Sequence, residues 1–151
     1  MDVSADKSAA RTRDDMRLED FPFRSYDKLR FGDTDRQGHV NNAVFATFME
    51  TGRVEAIFNP QDPMTDPECS FVLAKLDLDY RAEIRWPGTV DIGTRIIAVG
   101  RSSVRLEQAV FQNGRCAAFA TTVVVQMHHQ TRRSQAFSER TKTRLEEIAS
   151  T

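Results

Sequence analysis

The sequence predicts an α+β domain, an antiparallel five-stranded sheet wrapped around one long central helix. Three observations carry this. Asn42 to Phe58 repeats apolar residues at helical spacing, around so much of the circumference that the helix should be largely enclosed. Four later stretches switch to a period of two and are separated by turn signals, the pattern of an antiparallel meander. A shorter extended stretch precedes the helix. One long helix and one meander pack as layers, with the sheet curved over the helix. The chain has 151 residues, 40% hydrophobic and 28% charged, which fits one domain with a packed core.

The elements follow in order. Residues 1–20 are small, polar and charged, and read as a disordered N-terminal arm. Residues 21–151 then form the single domain. Tyr26 to Gly32 reads as a short strand. In the helix, Phe45, Phe48, Met49, Gly52 and Ala56 recur at helical spacing, and Val44 and Ile57 widen the stripe. Asn41 or Asn42 is its N-cap, and Asn59-Pro60 ends it, because a residue before proline avoids helical geometry. Gly52 in mid-helix costs about 1 kcal/mol against alanine, so something should approach closely there. Phe45, Phe48 and Phe58 read as core.

Gln61 to Glu68, beside Pro60, Pro63 and Pro67, reads as a loop. Val72, Ala74, Leu76, Leu78, Tyr80, Ala82 and Ile84 alternate with mostly polar neighbours and predict a long strand. Trp86-Pro87-Gly88 is a turn. Val90 to Val99 is a strand, Gly100-Arg101-Ser102 turns the chain, and Val104 to Phe111 is the next strand. Asn113-Gly114 is a strong hairpin signal. Cys116 to Met127 is the last strand, rich in alanine, threonine and valine. After a polar loop, Ser138 caps a short helix through Ile148.

Composition narrows the function classes. The formal net charge is −1, from 21 basic and 22 acidic residues, which offers no basic face for nucleic acid. Cys69 and Cys116 are far apart, in no metal-type spacing, and fit a compartment that keeps thiols reduced. The first residues carry no apolar signal-peptide region, and no run of about 18 apolar residues exists to span a membrane. The expectation is a soluble cytoplasmic protein.

The most informative segment is Arg30 to Arg53, RFGDTDRQGHVNNAVFATFMETGR. Two aspartates, a glycine, a histidine and two asparagines feed straight into a helix start. Such a start offers unpaired backbone N–H groups and the positive end of the dipole. The carboxylates and the imidazole offer a base or a nucleophile. Bland readings compete. Asp33, Asp35, Gln37, Gly38 and Val40 mimic the front of a calcium loop, but the twelfth position is Val44 where a glutamate is needed. Asp, Gly and Asn also serve turns and caps for purely local reasons. His39 alone could be a packed histidine, and Glu50 alone a solvent-facing helix residue. Because Glu50 follows Phe48 and Met49 on a helix with little exposed face, it is expected to be partly buried, which raises a carboxylate pKa. His128-His129 is adjacent rather than spaced and reads as structural.

At these residues the chain resembles the hotdog-fold thioesterases, specifically the 4-hydroxybenzoyl-CoA thioesterase family. The shared pattern is Phe31, Asp33, Asp35, Gly38, Val40, Asn41, Asn42, Phe45, Glu50 and Arg53. The strand from Phe71 to Arg85, the Gly100 to Ser103 turn and the alanine-rich last strand match in order. The likeness covers about residues 24 to 145. It implies a hotdog fold and a homo-oligomer, dimer or tetramer. It also implies that Asp35 is the catalytic carboxylate. Plant acyl-ACP thioesterases share the fold and a related D-x-N-x-H-V-N-N segment. Against D-R-Q-G-H-V-N-N here, Asp35 and His39 carry over directly, Gln37 replaces an asparagine, and the helix glutamate falls near Glu50, offset by about one residue.

The resemblance implies acyl-CoA hydrolysis to a free acid and CoA. Asp35 would act as nucleophile or general base, with His39 and Asn42 orienting the thioester or a water and Glu50 as a further catalytic candidate. Backbone amides around Gly38, Val40, Asn41 and Asn42 are the candidate oxyanion donors, each typically worth on the order of 10²–10³ in rate. Arg101, Ser102 and Ser103 sit where the family often contacts CoA, and Arg132 and Arg133 are further cations. The partner's strand near Leu76 to Tyr80 would line the acyl pocket. No metal and no cofactor beyond the substrate's own coenzyme A is expected. The competing functions are an acyl-ACP thioesterase, a hotdog hydratase or dehydratase, and a non-catalytic acyl-CoA-binding protein.

Overall fold

The period-two stretches become one five-stranded antiparallel sheet. A computed structural model describes residues 16–151. Its elements are β1 (Phe23–Lys28), α1 (Asn42–Ile57), β2 (Cys69–Tyr80), β3 (Thr89–Val99), β4 (Ser103–Gln112), β5 (Arg115–His128) and α2 (Glu139–Ala149). The strand order is β1-β3-β4-β5-β2. Three of the neighbouring pairs are antiparallel with one register irregularity each, and β1 pairs with β3 without one. β2 is thus an edge strand although it is 12 residues long.

Local chemistry explains most of the boundaries. Asn113 and Gly114 both adopt positive φ, +53° and +79°, the geometry a tight hairpin demands. The Asn41 side chain accepts from the Ala43 N–H at 3.0 Å and caps α1. Ser138 Oγ accepts from the Thr141 N–H at 3.2 Å and caps α2. The C-terminal helix and the strands β3, β4 and β5 lie within about one residue of the sequence expectation.

Two strands and the arm differ from the expectation. The first strand runs Phe23–Lys28, not 26–32, and Phe31–Asp33 is a 3₁₀ turn. Phe23, Ser25 and Asp27 point toward the core side while Tyr26 is 71% exposed. β2 begins three residues early and ends at Tyr80. Beyond it the Arg81 and Ala82 N–H groups both donate to the Ala117 carbonyl, at 2.8 and 3.0 Å, so the ladder stops while the apolar alternation runs on. Residues 1–15 of the expected arm lie outside the described residues. Its last part is packed: Met16 is 7% exposed and joins Phe21, Phe111 and Phe119 in a small core.

The core sits between α1 and the sheet. Phe45, Phe48 and Met49 pack on Val90, Ile92, Val110, Ala118 and Ala120. The alanines of β5 give a low floor that lets the aromatic rings seat, and each fully buried large apolar side chain stabilises by about 1.5–3 kcal/mol. Ala56 and Ile57 continue this onto Ile96, Leu106 and Val124, where Phe137 and Leu145 close the far end. Gly52 marks the close approach that the sequence predicts. A Cβ there would stand 2.7 Å from Ile92 Cγ2 and from Thr94 Oγ1, and 2.8 Å from Gln108 Nε2. Gln108 is fully buried and donates to the Met49 carbonyl at 2.8 Å and to Thr94 Oγ1 at 3.0 Å.

The helix is less enclosed than its composition suggests. Ala43, Thr47, Glu50 and Val54 form an exposed stripe along it. Glu50 lies on that stripe, so the expectation of a partly buried glutamate is corrected: the carboxylate is exposed. The buried charge of that turn is Arg53, 4% exposed, whose Nη1 donates to Gln108 Oε1 at 3.3 Å. Burial lowers the Arg53 pKa, and the charge of Glu50 works against that shift.

Candidate active site

The segment Thr34 to Val40 is a tight loop closed by its own backbone. Thr34 and Val40 form a bridge. The Asp35 N–H donates to the His39 carbonyl at 2.8 Å, and the Gly38 N–H to the Asp35 carbonyl at 3.1 Å. Gly38 has a φ of +82°, which glycine adopts without the strain other residues meet. The loop is stitched to the rest of the molecule at two points. The Val40 N–H donates to the Ile84 carbonyl and the Asn41 N–H to the Asp33 carbonyl, both at 2.8 Å.

Asp35 organises this loop with one oxygen. Its Oδ1 accepts from the Gln37 N–H at 2.8 Å and from the His39 N–H at 3.3 Å. Its Oδ2 has no hydrogen-bond partner among the described residues. The side chain is exposed. Asp33 is the structural member of the pair: half-buried, it accepts from the Arg30 N–H at 2.9 Å and starts the 3₁₀ turn.

The amides near the helix start are mostly spent. Gly38, His39, Val40 and Asn41 all donate within the molecule, and Ala43 is taken by the Asn41 cap. Of the five amides from Gly38 to Asn42, that of Asn42 is the one without a partner among the described residues. It stands at the first turn of α1, where the dipole is positive. The Asn42 carbonyl accepts from Tyr80 Oη at 2.9 Å, and the Tyr80 ring packs edge-on against Phe45 at 5.1 Å. The end of β2 is thereby fixed to the start of α1.

His39 is half-buried. Its Nε2 lies 3.1 Å from Glu83 Oε2, and Arg85 Nη2 lies 3.1 Å from the same oxygen. For Nε2 to donate to this carboxylate, it must carry the ring hydrogen, leaving Nδ1 as the acceptor of a neutral ring. Sequence reasoning missed Glu83. The one trace of it was a glutamate between Ala82 and Ile84, at the end of the alternating stretch; its contact with His39 depends on the bridge between His39 and Arg85.

The structure therefore gathers Asp35, Gly38, His39, Val40, Asn41 and Asn42 at one place. Glu50 lies further along α1 on its exposed stripe. Arg101, Ser102 and Ser103 lie at the β3–β4 turn, the opposite end of β3 from the Gly88 carbonyl that the Leu29 N–H meets. Eleven strand residues at about 3.3 Å each put that turn roughly 30 Å or more from the Asp35 end of the same protomer. His128 ends β5 at that far end, and His129, Arg132 and Arg133 follow it there. His129 Nε2 meets Ser70 Oγ, and His128 Nδ1 accepts from the Gln130 N–H. Among the described residues no three His, Cys, Asp or Glu side chains gather as a metal site would require.

Known proteins share this fold. Residues 29–145 match a model of the thioesterase-like superfamily. A thioesterase from Thermus thermophilus, solved in complex with coenzyme A and Zn, is 33% identical. That likeness covers 83% of this chain and 98% of that one, with a TM-score of 0.71. A probable thioesterase from Escherichia coli, YbaW, is 21% identical over 84% of this chain and 98% of its own, with a TM-score of 0.71. The DHNA-CoA thioesterase of Staphylococcus aureus is 19% identical over 84% and 87%, again with a TM-score of 0.71. The latter two bear on the fold alone, and the five-stranded sheet with its two helices is consistent with the hotdog architecture. Comparison with curated proteins gives no match. The chain belongs to the thioesterase-like superfamily and is a thioester hydrolase.

Proposed function

We propose that the protein is an acyl-CoA thioesterase in which Asp35 is the catalytic carboxylate. The observation that carries this is the division of labour within that side chain. Oδ1 is tied to two backbone N–H groups while Oδ2 is left without a partner among the described residues. A carboxylate held still by one oxygen presents the other in a fixed direction, which is what either attack on the thioester carbon or deprotonation of a water needs. The Asn42 N–H at the start of α1 supplies the oxyanion donor. His39, oriented by Glu83 at 3.1 Å, turns Nδ1 toward the substrate or a water. Glu50 lies further along α1, outside the Asp35 loop.

A second copy completes the site. The protomer leaves Asp35 exposed, an open edge on β2 with Leu73 51% and Tyr80 52% exposed, and the uncovered stripe on α1. A long unpaired edge is a template for another strand. Pairing of β2 with its counterpart would make a homodimer with a continuous sheet and bring the partner's Leu76 to Tyr80 region to the acyl pocket. No helix among the described residues is long and apolar enough to cross a membrane, and a cytoplasmic enzyme on a free acyl-CoA pool is the corresponding reading.

The test is thiol release from a panel of acyl-CoAs, short, long and aromatic, by wild type and Asp35→Asn together. Hydrolysis lost in a folded variant establishes the assignment. Single turnover in ¹⁸O-water followed by mass analysis of Asp35 then tests the nucleophilic role: label enters Asp35 when water opens an anhydride at the Asp35 carbonyl, whereas a general base sends all the label to the product acid. A folded wild type that hydrolyses no acyl-CoA overturns the reading.

A further inference from the structure

Two exposed aromatic side chains pack on each other at the surface. The Phe31 and Trp86 rings meet edge-on, with 5.3 Å between centroids and 76° between planes, yet they remain 72% and 45% exposed. A lone exposed aromatic needs no explanation, but a packed exposed pair calls for one. Backbone bonds hold the pair in place. The Leu29 N–H donates to the Gly88 carbonyl at 2.9 Å, and the Thr34 N–H to the Phe31 carbonyl at 3.1 Å. The turn before β3 is thereby fixed against the end of β1. Tyr26, also exposed, stands on β1 a few residues earlier. β1 is the edge of the sheet opposite β2, so the β2 pairing proposed above takes place at the other edge.

The rings are flanked by cations. Residues 28–36 and 83–88 carry the pair, and Lys28, Arg30, Arg36 and Arg85 are exposed in these segments. The Lys28 side chain has no hydrogen-bond or ion-pair partner among the described residues. Of the carboxylates in the same segments, Asp33 is half-buried and accepts from the Arg30 N–H. Glu83 is shared between Arg85 and His39. That leaves Asp35 as the exposed carboxylate outside an ion pair, in a chain whose formal net charge is −1. Exposed rings bordered by lysine and arginine suit a bilayer interface. The rings settle at headgroup level, and the cations are drawn to anionic lipid. A second copy fits the patch less well. An isologous contact uses the same patch on both sides, and would set Lys28, Arg30 and Arg85 against their own counterparts.

We infer that this corner docks on an anionic bilayer surface, with Phe31 and Trp86 in the headgroup layer and Lys28 and Arg30 facing the lipid phosphates. The contact is a peripheral one; no helix among the described residues is long and apolar enough to cross a membrane. It adds a place of action to the function proposed above and does not rest on it. The turn Phe31–Asp33 runs into the Asp35 loop. A protein docked this way holds its candidate reacting end close to the surface, where amphiphilic acyl chains gather.

Trp86 is the single tryptophan of the chain, so its fluorescence reports on this patch alone. The full-length protein, without substrate, is titrated with vesicles of equimolar phosphatidylcholine and phosphatidylglycerol, and with vesicles of phosphatidylcholine alone. The expected result is a blue shift of the Trp86 emission on the mixed vesicles, quenched when their lipids are brominated near the headgroup and reversed by salt. The partition coefficient should fall about fivefold in Lys28→Gln and about fivefold in Arg30→Gln, the scale of one cation near an anionic surface. Both side chains are exposed, so the core is left intact. Phe31→Ser should weaken binding while leaving its salt dependence in place. Unchanged Trp86 emission at high lipid overturns the proposal. So does co-sedimentation with vesicles that leaves the emission unmoved, because another surface then makes the contact. Equal binding to the two vesicle types removes the anionic headgroup and overturns it as well. A blue shift that grows with protein concentration in the absence of lipid gives the patch to a second copy instead. No acyl-CoA enters the titration, so its result stands whether or not thioester hydrolysis is found.

Discussion

Asp35 and Asp66 each organise the approach to a helix, Asp35 ahead of α1 and Asp66 beside the start of α2. Asp66 is 9% exposed and saturated. Its Oδ2 accepts from the Ser138 N–H at 2.8 Å and Gln126 Nε2 at 3.1 Å, and its Oδ1 from Ser138 Oγ at 2.6 Å and Thr141 Oγ1 at 2.5 Å. Burial pushes its pKa up, but the donors from Ser138, Thr141 and Gln126 outweigh that and leave it lowered. Asp35 is exposed, uses one oxygen for its loop and keeps the other open. The difference separates two uses of a carboxylate. With its oxygens all engaged by donors it is a rivet. With one oxygen anchored and one open it can be both a turn former and a reagent.

The sharpest way to break this comparison is Asp35→Asn. The amide oxygen can still accept from Gln37 and His39, so the loop should keep its shape. The base or nucleophile is gone. Hydrolysis should fall by about 10²–10⁴ with the melting temperature nearly unchanged. A large fall in melting temperature would show that Asp35 is also a rivet, and the contrast would collapse.

Asp66→Ala should do the reverse. It strands buried donors on Gln126 and Ser138, and should cost about 2–3 kcal/mol. That is roughly a 5–10 °C drop in melting temperature for a chain of this size. The kcat of the survivors should stay near wild type, because the Asp35 loop is at the other end of α1. The pH dependence has a definite sign. The folded pKa of Asp66 lies below its unfolded value, which is about 3.9. Its contribution is therefore present above that value and is lost as pH falls through the folded pKa. Urea midpoints of wild type and Asp66→Asn should keep a constant gap between about pH 5 and 7 and converge below about pH 4. A constant gap down to acid unfolding would mean that the charge is not what holds α2.

Which features could be read in advance follows the same division. Asn113-Gly114, the Asn41 and Ser138 caps and the Gly52 approach were legible because each is local chemistry written in neighbouring residues. The Asp35 loop was legible for that reason too. Glu83 and Asp66 were not, since their partners lie at His39 and at Ser138 and Thr141, contacts that exist only after the sheet forms. The Glu50 expectation failed because apolar residues cover most but not all of the helix circumference, and Ala43, Thr47, Glu50 and Val54 line up on the remainder. The end of β2 was misplaced because alternation reports which face is buried, whereas the ladder ends where the Ala117 carbonyl takes two donors. Arg101 matched its motif in sequence order, yet distance along β3 separates it from Asp35 within the protomer.

The smallest effects sharpen the contrast at the caps themselves. Asn41→Ala removes one acceptor, that for the Ala43 N–H, and should cost about 1 kcal/mol. Ser138→Ala removes the acceptor for the Thr141 N–H and also a donor to Asp66, so its cost should exceed that of Asn41→Ala. Because Ser138 and Asp66 share a network, the double variant Ser138→Ala/Asp66→Ala should lose less stability than the two singles added together. Asn41 has no such network, and Asn41→Ala with Asp66→Ala should be additive within about 0.5 kcal/mol. Chemical denaturation of wild type, the single variants and the doubles measures both cycles. The Asn41 cap holds the first turn of α1, where the Asn42 N–H has no partner among the described residues, so Asn41→Ala should lower kcat several-fold while Ser138→Ala does not. If both caps affected only stability, the start of α1 would be scaffold like the start of α2, and the oxyanion donor would have to be sought elsewhere around Asp35.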